Sequence, residues 1–305
     1  IQIAPSSAAA GYARTALAAM TPGARSATPS SARSVASVSS ASAATPDDDD
    51  MRNLPDRASF YFTKESGGHM AVNVMINGHQ VPCLFDTGAG AFFYKDQLVA
   101  AGVDCNKARP AGQTRGWAGT PVPIFAMPAE VRLGNLTRTI MITMEESASG
   151  LNKNLIGQTM IQGYQYEIDD KGGRVDLKKT ISNTEQRVDS LYDVPLTVEG
   201  SRDIIMIEVN GHKVPAFIDT GSAFTIVNSS TAQACGIEST GTQGMMGVGG
   251  ALTVGVGTAK IRLGPISKEF TVRIGGSAGC CIGQDFMEGW RFKTDREHGL
   301  LRFFH

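Results

Sequence analysis

The sequence lacks the features of several large functional classes. Its 305 residues include 28 Lys and Arg against 29 Asp and Glu, and this near balance provides no broad attraction to nucleic acid or anionic membranes. No apolar run approaches the roughly 18 residues that a membrane-spanning helix requires. The sequence also has no Walker loop, nucleophile elbow or zinc-type spacing of Cys and His. We therefore expect no nucleic-acid partner, no membrane span, no metal and no other cofactor.

Cysteine is scarce as well, and its five copies cannot all pair within the chain because their number is odd. Two of them are neighbours, and a disulfide between neighbours is strained. We interpret the cysteines as small buried hydrophobic residues, which leaves the redox compartment open. They are Cys83, Cys105, Cys235, Cys280 and Cys281.

Large apolar residues are few at the start of the chain, which is rich in Ala, Ser, Thr and Pro and reaches a run of four Asp at 47–50. Such a segment cannot offset its chain entropy by burying apolar surface. We predict a disordered tail over residues 1–57, with an inhibitory propeptide as the functional alternative. A first residue other than Met and this flexible lead favour export, so we expect a periplasmic or secreted protein.

The rest of the chain contains much glycine and many short apolar runs broken by turn signals, a pattern typical of β-structure. The pattern begins near Ser59 and restarts near residue 190. We predict short helices at Gln97–Ala101 and Thr231–Ala234. The predicted strands are Ser59–Thr63, Met70–Ile76, Val81–Phe85, Ala129–Leu133, Thr139–Met144, Val194–Val198, Ile204–Val209, Val214–Ile218, Ala259–Leu263 and Glu269–Ile274.

Five sequence blocks occur twice in the same order. Asn-Gly-His at 77–79 returns at 210–212, and Asp-Thr-Gly at 86–88 returns at 219–221, so both pairs have the same 133-residue spacing. Such register indicates an internal duplication rather than chance. We predict a first lobe at 58–180, a linker at 181–190 and a second lobe at 191–305, with the two lobes related by pseudo-twofold symmetry.

Each copy of Asp-Thr-Gly directly follows an apolar strand. One copy alone is equally typical of an ordinary turn, so the second copy carries the argument. Across a twofold axis, Asp86 and Asp219 would meet, and two close carboxyls share one proton. The ionised member can deprotonate a water while the protonated member polarises a peptide carbonyl. The pattern predicts an aspartic endopeptidase, active as a monomer on protein or peptide substrates.

Asp-Thr-Gly-Ala/Ser after an apolar strand, with a later block of two apolar residues and Gly, resembles the retropepsin-like aspartic proteases. The resemblance covers about 58–179 and 191–305. It implies an all-β fold of two β-barrel lobes with a substrate cleft between them. Because retroviral-type enzymes are dimers of one such unit, this chain resembles a fused pseudo-dimer.

The resemblance also implies roles for residues around the pair. Thr87 and Thr220 match threonines that bond across the interface beneath the carboxyls. Glycines at 157 and 283 match the position where the chain passes closely behind the catalytic loop. Glycine-rich segments at 116–119 and 247–250 match flap tips, with ordinary hairpin turns as the alternative. The remaining matched or supporting residues are Gly88, Gly221 and Ser222 at the loops, and Gly116, Trp117, Gly119, Gly247, Val248 and Gly249 in the flaps.

Two positions depart from the family pattern. Gln158 and Gln284 stand where the family usually has Arg, which puts the usual ion pair in question. Ser222 follows the second tripeptide and Ala89 the first, so a Ser222 hydroxyl bonded to Asp219 would make that residue the more charged member. The alternative function is a non-catalytic module that binds peptides in the cleft. The presence of both aspartates argues against it.

Overall fold

The computed structural model describes residues 48–117, 120–146, 152–180, 190–276 and 279–304. The described chain is mostly β-structure with short helices, which agrees with the predicted all-β class. No helix in these ranges is long and apolar enough to cross a membrane. The helices are α1 (Asp48–Asn53), α2 (Lys95–Ala100), α3 (Gln158–Ile161), α4 (Ser229–Ala234) and α5 (Gln284–Met287).

The strands up to residue 180 are β1 (Arg57–Tyr61), β2 (Thr63–Lys64), β3 (Met70–Ile76), β4 (His79–Asp86), β5 (Ala91–Tyr94), β6 (Arg109–Arg115), β7 (Pro121–Leu133), β8 (Leu136–Glu145), β9 (Asn154–Gly157), β10 (Tyr164–Asp169) and β11 (Arg174–Lys179). The later strands are β12 (Tyr192–Glu199), β13 (Arg202–Val209), β14 (His212–Ile218), β15 (Ile226–Val227), β16 (Gly241–Gly247), β17 (Gly250–Leu263), β18 (Ile266–Ile274), β19 (Cys280–Ile282), β20 (Arg291–Asp295) and β21 (Leu300–Phe304).

The repeated Asn-Gly dipeptides form the same hairpin turn twice. Asn77 and Gly78 have φ angles of 49° and 88°, and Asn210 and Gly211 have φ angles of 49° and 85°. Positive φ at both central positions is the conformation that suits a two-residue hairpin, and Asn followed by Gly adopts it most readily. These turns join β3 to β4 and β13 to β14. Strands β4 and β14 then lead to the two Asp-Thr-Gly loops.

Both parts of the chain use the same strand order. The first is β3-β4-β9-β5-β8-β7-β6, and the second is β13-β14-β19-β15-β18-β17-β16. In each, the strand leading to the Asp-Thr-Gly loop pairs in parallel with the strand that carries the later apolar-apolar-Gly block. This pairing brings each downstream glycine behind the corresponding Asp-Thr-Gly loop.

A further pairing, which the sequence did not predict, joins the two parts. β10 and β20 are antiparallel neighbours, with Ile168 opposite Phe292, so six strands form one continuous layer in the order β1-β11-β10-β20-β21-β12. Both central side chains are almost completely buried. Residues 1–47 and 181–189, which include most of the predicted tail and linker, lie outside the described residues.

All five cysteines are free and buried, as interpreted from the sequence. Two apolar clusters account for the described core. The larger runs through both sheets, and the smaller lies between the two parts of the chain. We call the smaller one the central cluster. It consists of Leu84, Ala89, Phe92, Tyr94, Trp117, Leu155, Ile204, Phe217, Ile226, Val248 and Cys281.

Candidate active site

The structure brings Asp86 and Asp219 together, each at the end of a buried strand. Their exposures are 0% and 1%. Oδ1 of Asp86 accepts a hydrogen bond from the Gly88 amide at 2.8 Å, and Oδ1 of Asp219 accepts one from the Gly221 amide at 3.0 Å. The Thr-Gly turn thus supplies the backbone donor that a buried carboxylate needs. A side-chain hydrogen bond also links Asp86 to Asp219.

Burial raises the pKa of Asp86 to about 7, and the charge of Asp219 and a side-chain hydrogen bond to it act in the same direction. The Gly88 amide opposes this shift. A single proton between two facing carboxyls relieves the repulsion that two negative charges would have at this distance. Near neutral pH the geometry therefore favours one proton shared by the two carboxyls.

Reciprocal threonine bonds lock the two loops together. The Thr87 amide donates to Oγ1 of Thr220 at 3.0 Å, and the Thr220 amide donates to Oγ1 of Thr87 at 3.1 Å. Each hydroxyl then donates across to a carbonyl, Thr87 to Ile218 at 3.0 Å and Thr220 to Phe85 at 2.9 Å. All four bonds are buried, so neither loop can move without exposing or orphaning polar groups of the other.

The downstream glycines occupy the positions implied for them. A Cβ at Gly157 would overlap the backbone carbonyls of Asp86 and Ala89. A Cβ at Gly283 would overlap the carbonyl of Phe224. Any side chain at either position would therefore push the catalytic loop out of place.

The expected contact of Ser222 is wrong. Its hydroxyl donates to the carbonyl of Phe224 at 2.7 Å and does not bond Asp219. The loop turns the side chain back toward its own backbone, a local bond that serine readily makes. The difference between Ala89 and Ser222 therefore supplies no hydrogen bond that would distinguish the two aspartates.

Gln158 and Gln284 each donate a hydrogen bond to the backbone of an Asp-Thr-Gly loop, a role that the sequence did not reveal. Nε2 of Gln158 donates to the carbonyl of Thr87 at 2.9 Å, and Nε2 of Gln284 donates to the carbonyl of Thr220 at the same distance. The signal was present in the repeated Ile-Gly-Gln block. The hydrogen bonds of these glutamines could not be inferred from that block, because comparison with the family pattern indicated only that an arginine was absent.

Two further side chains near the pair were missed. Arg202 and His69 each lie 17 residues before their aspartate. Burial lowers the pKa of Arg202, whereas the charges of Asp219 and Asp86 raise it. Its guanidinium lies 5.0 Å from the ring centre of Phe217. Burial also lowers the pKa of His69, whereas the charge of Asp219 raises it. The constant repeat spacing could have identified both positions.

The predicted flap segments lie at the turns of two hairpins, β6–β7 and β16–β17. The Trp117 side chain crosses to the second part of the chain, where its ring centre lies 6.2 Å from that of Phe217. A Cβ at Gly276 would overlap the Trp117 ring. At Gly249, where φ is 88°, the turn of the β16–β17 hairpin lies against the carbonyl of Thr120, which directly precedes β7 of the first hairpin.

Other flap residues are also placed by the structure. Val248, Gly247 and Gly116 are buried, and Val248 belongs to the central cluster with Trp117. Gly119 lies outside the described residues. Within the described part of the chain, no group of three or more His, Cys, Asp or Glu side chains is placed to hold a metal.

The structure thus places two buried carboxyls together on two loops that are bonded to each other through Thr87 and Thr220. Residues 205–288 match the family model described as gag-polyprotein putative aspartyl protease. The matched segment contains Asp219, its loop and the downstream Ile-Gly-Gln block. The second part of the chain is therefore similar to this aspartyl protease family over residues 205–288, and the first copy lies outside the match.

Curated relatives agree over a limited region. The chain is 34% identical over 105 residues to the UBA domain-containing protein Mud1 of Schizosaccharomyces pombe, covering 32% of this chain and 32% of the relative. It is 36% identical over 105 residues to DNA damage-inducible protein 1 of Cryptococcus neoformans, covering 32% and 24% respectively. The protein of that name from Chaetomium globosum is 34% identical over 96 residues, or 29% and 22%. The matches span about a third or less of these relatives.

Proposed function

We propose that the chain is a single-chain aspartic endopeptidase, with Asp86 and Asp219 as its catalytic pair. The observation that carries the proposal is the facing of these two buried carboxyls on loops bonded to each other through Thr87 and Thr220. The family match over 205–288 supports protease ancestry for one of the two loops. The bonds made by the glycine amides, the threonines and the glutamines are the same in the first loop and in the second.

The proposed architecture is two β-barrel lobes, residues 58–180 and 191–305, related by a pseudo-twofold axis that passes between the two aspartates. Its support is the identical strand order in the two sheets, the equivalent additional pairings β3–β7 and β13–β17, and the crossed threonine bonds. The shared six-strand layer would hold the lobes in fixed relation. The enzyme would then work as a monomer.

The proposed reaction begins with one proton on the pair. Burial and the facing charge favour its residence on Asp86, which leaves Asp219 as the general base. Asp219 takes a proton from a water held between the carboxyls, and the resulting hydroxide attacks the peptide carbonyl carbon. Asp86 donates its proton to the carbonyl oxygen, which gives a neutral diol.

Breakdown of the diol reverses the proton movements. Asp219 gives its proton to the amide nitrogen, and the carbon–nitrogen bond breaks as the amine leaves. Asp86 recovers a proton from a diol hydroxyl, so the new carboxyl product forms and the pair returns to its starting state. No covalent intermediate with the protein forms, and the two carboxyls exchange roles between the two steps.

The hairpins would form the lid of the cleft. Trp117 and Val248, at the turns of these hairpins, belong to the central cluster, so an extended peptide must separate these apolar contacts to reach the carboxyls. Substrate side chains would then replace the contacts that the hairpins make with each other. Such opening and closing excludes water other than the one being activated.

The test is cleavage of a mixed peptide library by the purified chain between pH 3 and 8. We expect Asp86→Asn and Asp219→Asn each to reduce cleavage at least 1,000-fold, while the exposed control Asp104→Asn cleaves like the unmodified chain. Undiminished cleavage by either active-site variant would refute the assignment. Absence of cleavage with retained peptide binding would instead support the peptide-binding module.

A further inference from the structure

Each catalytic loop is tied, through a glutamine, to a cation from the other part of the chain. Oε1 of Gln158 accepts a hydrogen bond from Nη2 of Arg296 at 3.3 Å. Oε1 of Gln284 accepts one from Nζ of Lys64 at 3.1 Å. Gln158 precedes the predicted linker and Arg296 follows it, and the order is reversed for Gln284 and Lys64. The two links therefore cross between the repeats.

The first cation is held firmly by a carboxylate of its own repeat. Nε and Nη2 of Arg296 donate to the two carboxylate oxygens of Asp203, both at 2.8 Å. The Asp203 side chain is 1% exposed and that of Arg296 is 12% exposed. A buried two-point pair of this kind has a fixed geometry. The guanidinium therefore presents a donor to Gln158 in one direction only.

The second cation is held in a different way. Nζ of Lys64 lies 2.5 Å from Oδ1 of Asp170 and donates to the carbonyl of Gly68 at 3.1 Å. Lys64 and Arg296 do not occupy matching positions in the two repeats. In both links a cation donates to the amide oxygen of a glutamine, but the two cations are unrelated by the repeat. A feature inherited only by duplication would have used matching residues.

The cations fix which way each amide points. A cation has donors and no acceptor, so it must face the amide oxygen, and the NH₂ group is left facing the threonine carbonyl. An arginine in place of either glutamine would have no acceptor for the neighbouring cation. A glutamate there would have no donor for the threonine carbonyl. An amide side chain is the group that satisfies both sides. This accounts for glutamine where the family usually has arginine.

We propose that Gln158 and Gln284 are positioning residues, each of which holds a catalytic loop in register with a cation anchored on the opposite repeat. The proposal rests on the proposed function of the carboxyl pair. Without the amide donor, the carbonyl of Thr87 or Thr220 loses a buried partner and its loop relaxes. The two carboxyls then separate, and an error of about 1 Å in catalytic geometry costs up to about 100-fold in rate.

The test compares Gln158→Met and Gln284→Met with the control Gln233→Met, which changes an exposed glutamine on α4. We expect kcat to fall about tenfold or more in the first two variants, with KM changed less than twofold, and no change in the control. We also expect the alkaline limb of the pH–rate profile to move to lower pH. If the two carboxyls separate, the charge of Asp219 raises the pKa of Asp86 less. The positive charge of Arg202 still faces the pair and favours the ionised form.

A second readout does not need activity. Titration of the Asp86 carboxyl by ¹³C NMR, assigned with Asp86→Asn, should give a lower pKa in both glutamine variants than in the unmodified chain. A loss of unfolding stability with unchanged kcat and an unchanged Asp86 titration would overturn the inference. If the unmodified chain cleaves no peptide, the proposed function fails, and the NMR titration still decides this inference.

The cation has its own test. Lys64→Met leaves the amide of Gln284 in place but removes the group that orients it. We expect a loss of kcat in the same direction as in Gln284→Met, and the double variant should be no worse than Gln284→Met alone. Fully additive losses in the double variant would show that Lys64 does not act through Gln284.

Discussion

The carboxyl group of Asp86 lies against the backbone of Gly221, a residue of the opposite catalytic loop. A Cβ added at Gly221 would overlap the Asp86 carboxyl group itself. Asp86 cannot withdraw, because it is fully buried and bound to the Gly88 amide. The two loops thus fit together only when the second position after Asp219 has no side chain.

This contact predicts the effect of Gly221→Ala. We expect cleavage to fall at least 1,000-fold, because the methyl group would displace one member of the carboxyl pair. Urea denaturation should also show a stability loss of about 1–3 kcal/mol from overpacking. The matched control is Gly241→Ala, where an added Cβ meets nothing within 4 Å. Full activity in Gly221→Ala would contradict the described packing.

The threonine bonds predict a change in stability. Thr87→Val keeps the shape of the side chain but leaves the amide of Thr220 and the carbonyl of Ile218 buried without their partner. At about 1–3 kcal/mol for each of these two orphaned groups, we expect a loss of about 2–6 kcal/mol in the free energy of unfolding. Urea denaturation of Thr87→Val, with exposed Thr258→Val as control, measures it. Equal stability of the two variants would rule out the crossed bonds.

The raised pKa of Asp86 predicts how stability depends on pH. Its pKa is about 7 in the folded chain and about 4 when unfolded, so the folded state binds the proton more tightly. The contribution of Asp86 to stability is therefore fully present below about pH 4 and is lost as pH rises through about 7. The cost above pH 7 should amount to a few kcal/mol.

Asp86→Asn removes that titration. We expect the variant to be more stable than the unmodified chain at pH 8, with the difference vanishing near pH 4. Urea denaturation at pH 4, 6 and 8 measures it, and Asp104→Asn should show no such trend. In the enzyme, the same titration should reduce kcat as pH rises above about 7, because the shared proton is lost.

Trp117 predicts a defect in substrate binding. The ring anchors the first hairpin on Phe217 and Gly276 of the second part of the chain. We expect Trp117→Ala to raise KM about tenfold with a smaller change in kcat. The substrate would lose the aromatic surface that its side chains contact once the hairpins have opened, whereas the carboxyl pair keeps its loops. Met141→Ala, at an exposed position on β8, is the control. A change confined to kcat would argue for a different role.

The parts of this structure that the sequence predicted depend on local pattern and on the repeat. Met70–Ile76 coincides with β3 because alternate residues from Met70 to Ile76 face the core. The meeting of Asp86 and Asp219 was expected from the repeated Asp-Thr-Gly, since equivalent loops of two copies would meet on a twofold axis. These inferences need only periodicity and spacing.

The parts that the sequence did not predict depend on contacts between distant residues. The β10–β20 pairing joins strands whose local patterns do not specify a partner. The Ser222 hydroxyl donates to the Phe224 carbonyl and not to Asp219, a choice that is set by the geometry of the loop. The orientation of Gln158 is set by Arg296, 138 residues later. Such choices are made by tertiary packing and cannot be read from composition or spacing.

The central claim is that one chain supplies both catalytic carboxyls. Mixing Asp86→Asn chains with Asp219→Asn chains, after joint unfolding and refolding, tests it directly by peptide cleavage. We predict that the mixture stays as inactive as either variant alone, because every chain contains one defective loop and pairs it with its own second loop. Recovery of about a quarter to a half of the unmodified activity would show that the pair assembles between chains, and would contradict the single-chain account.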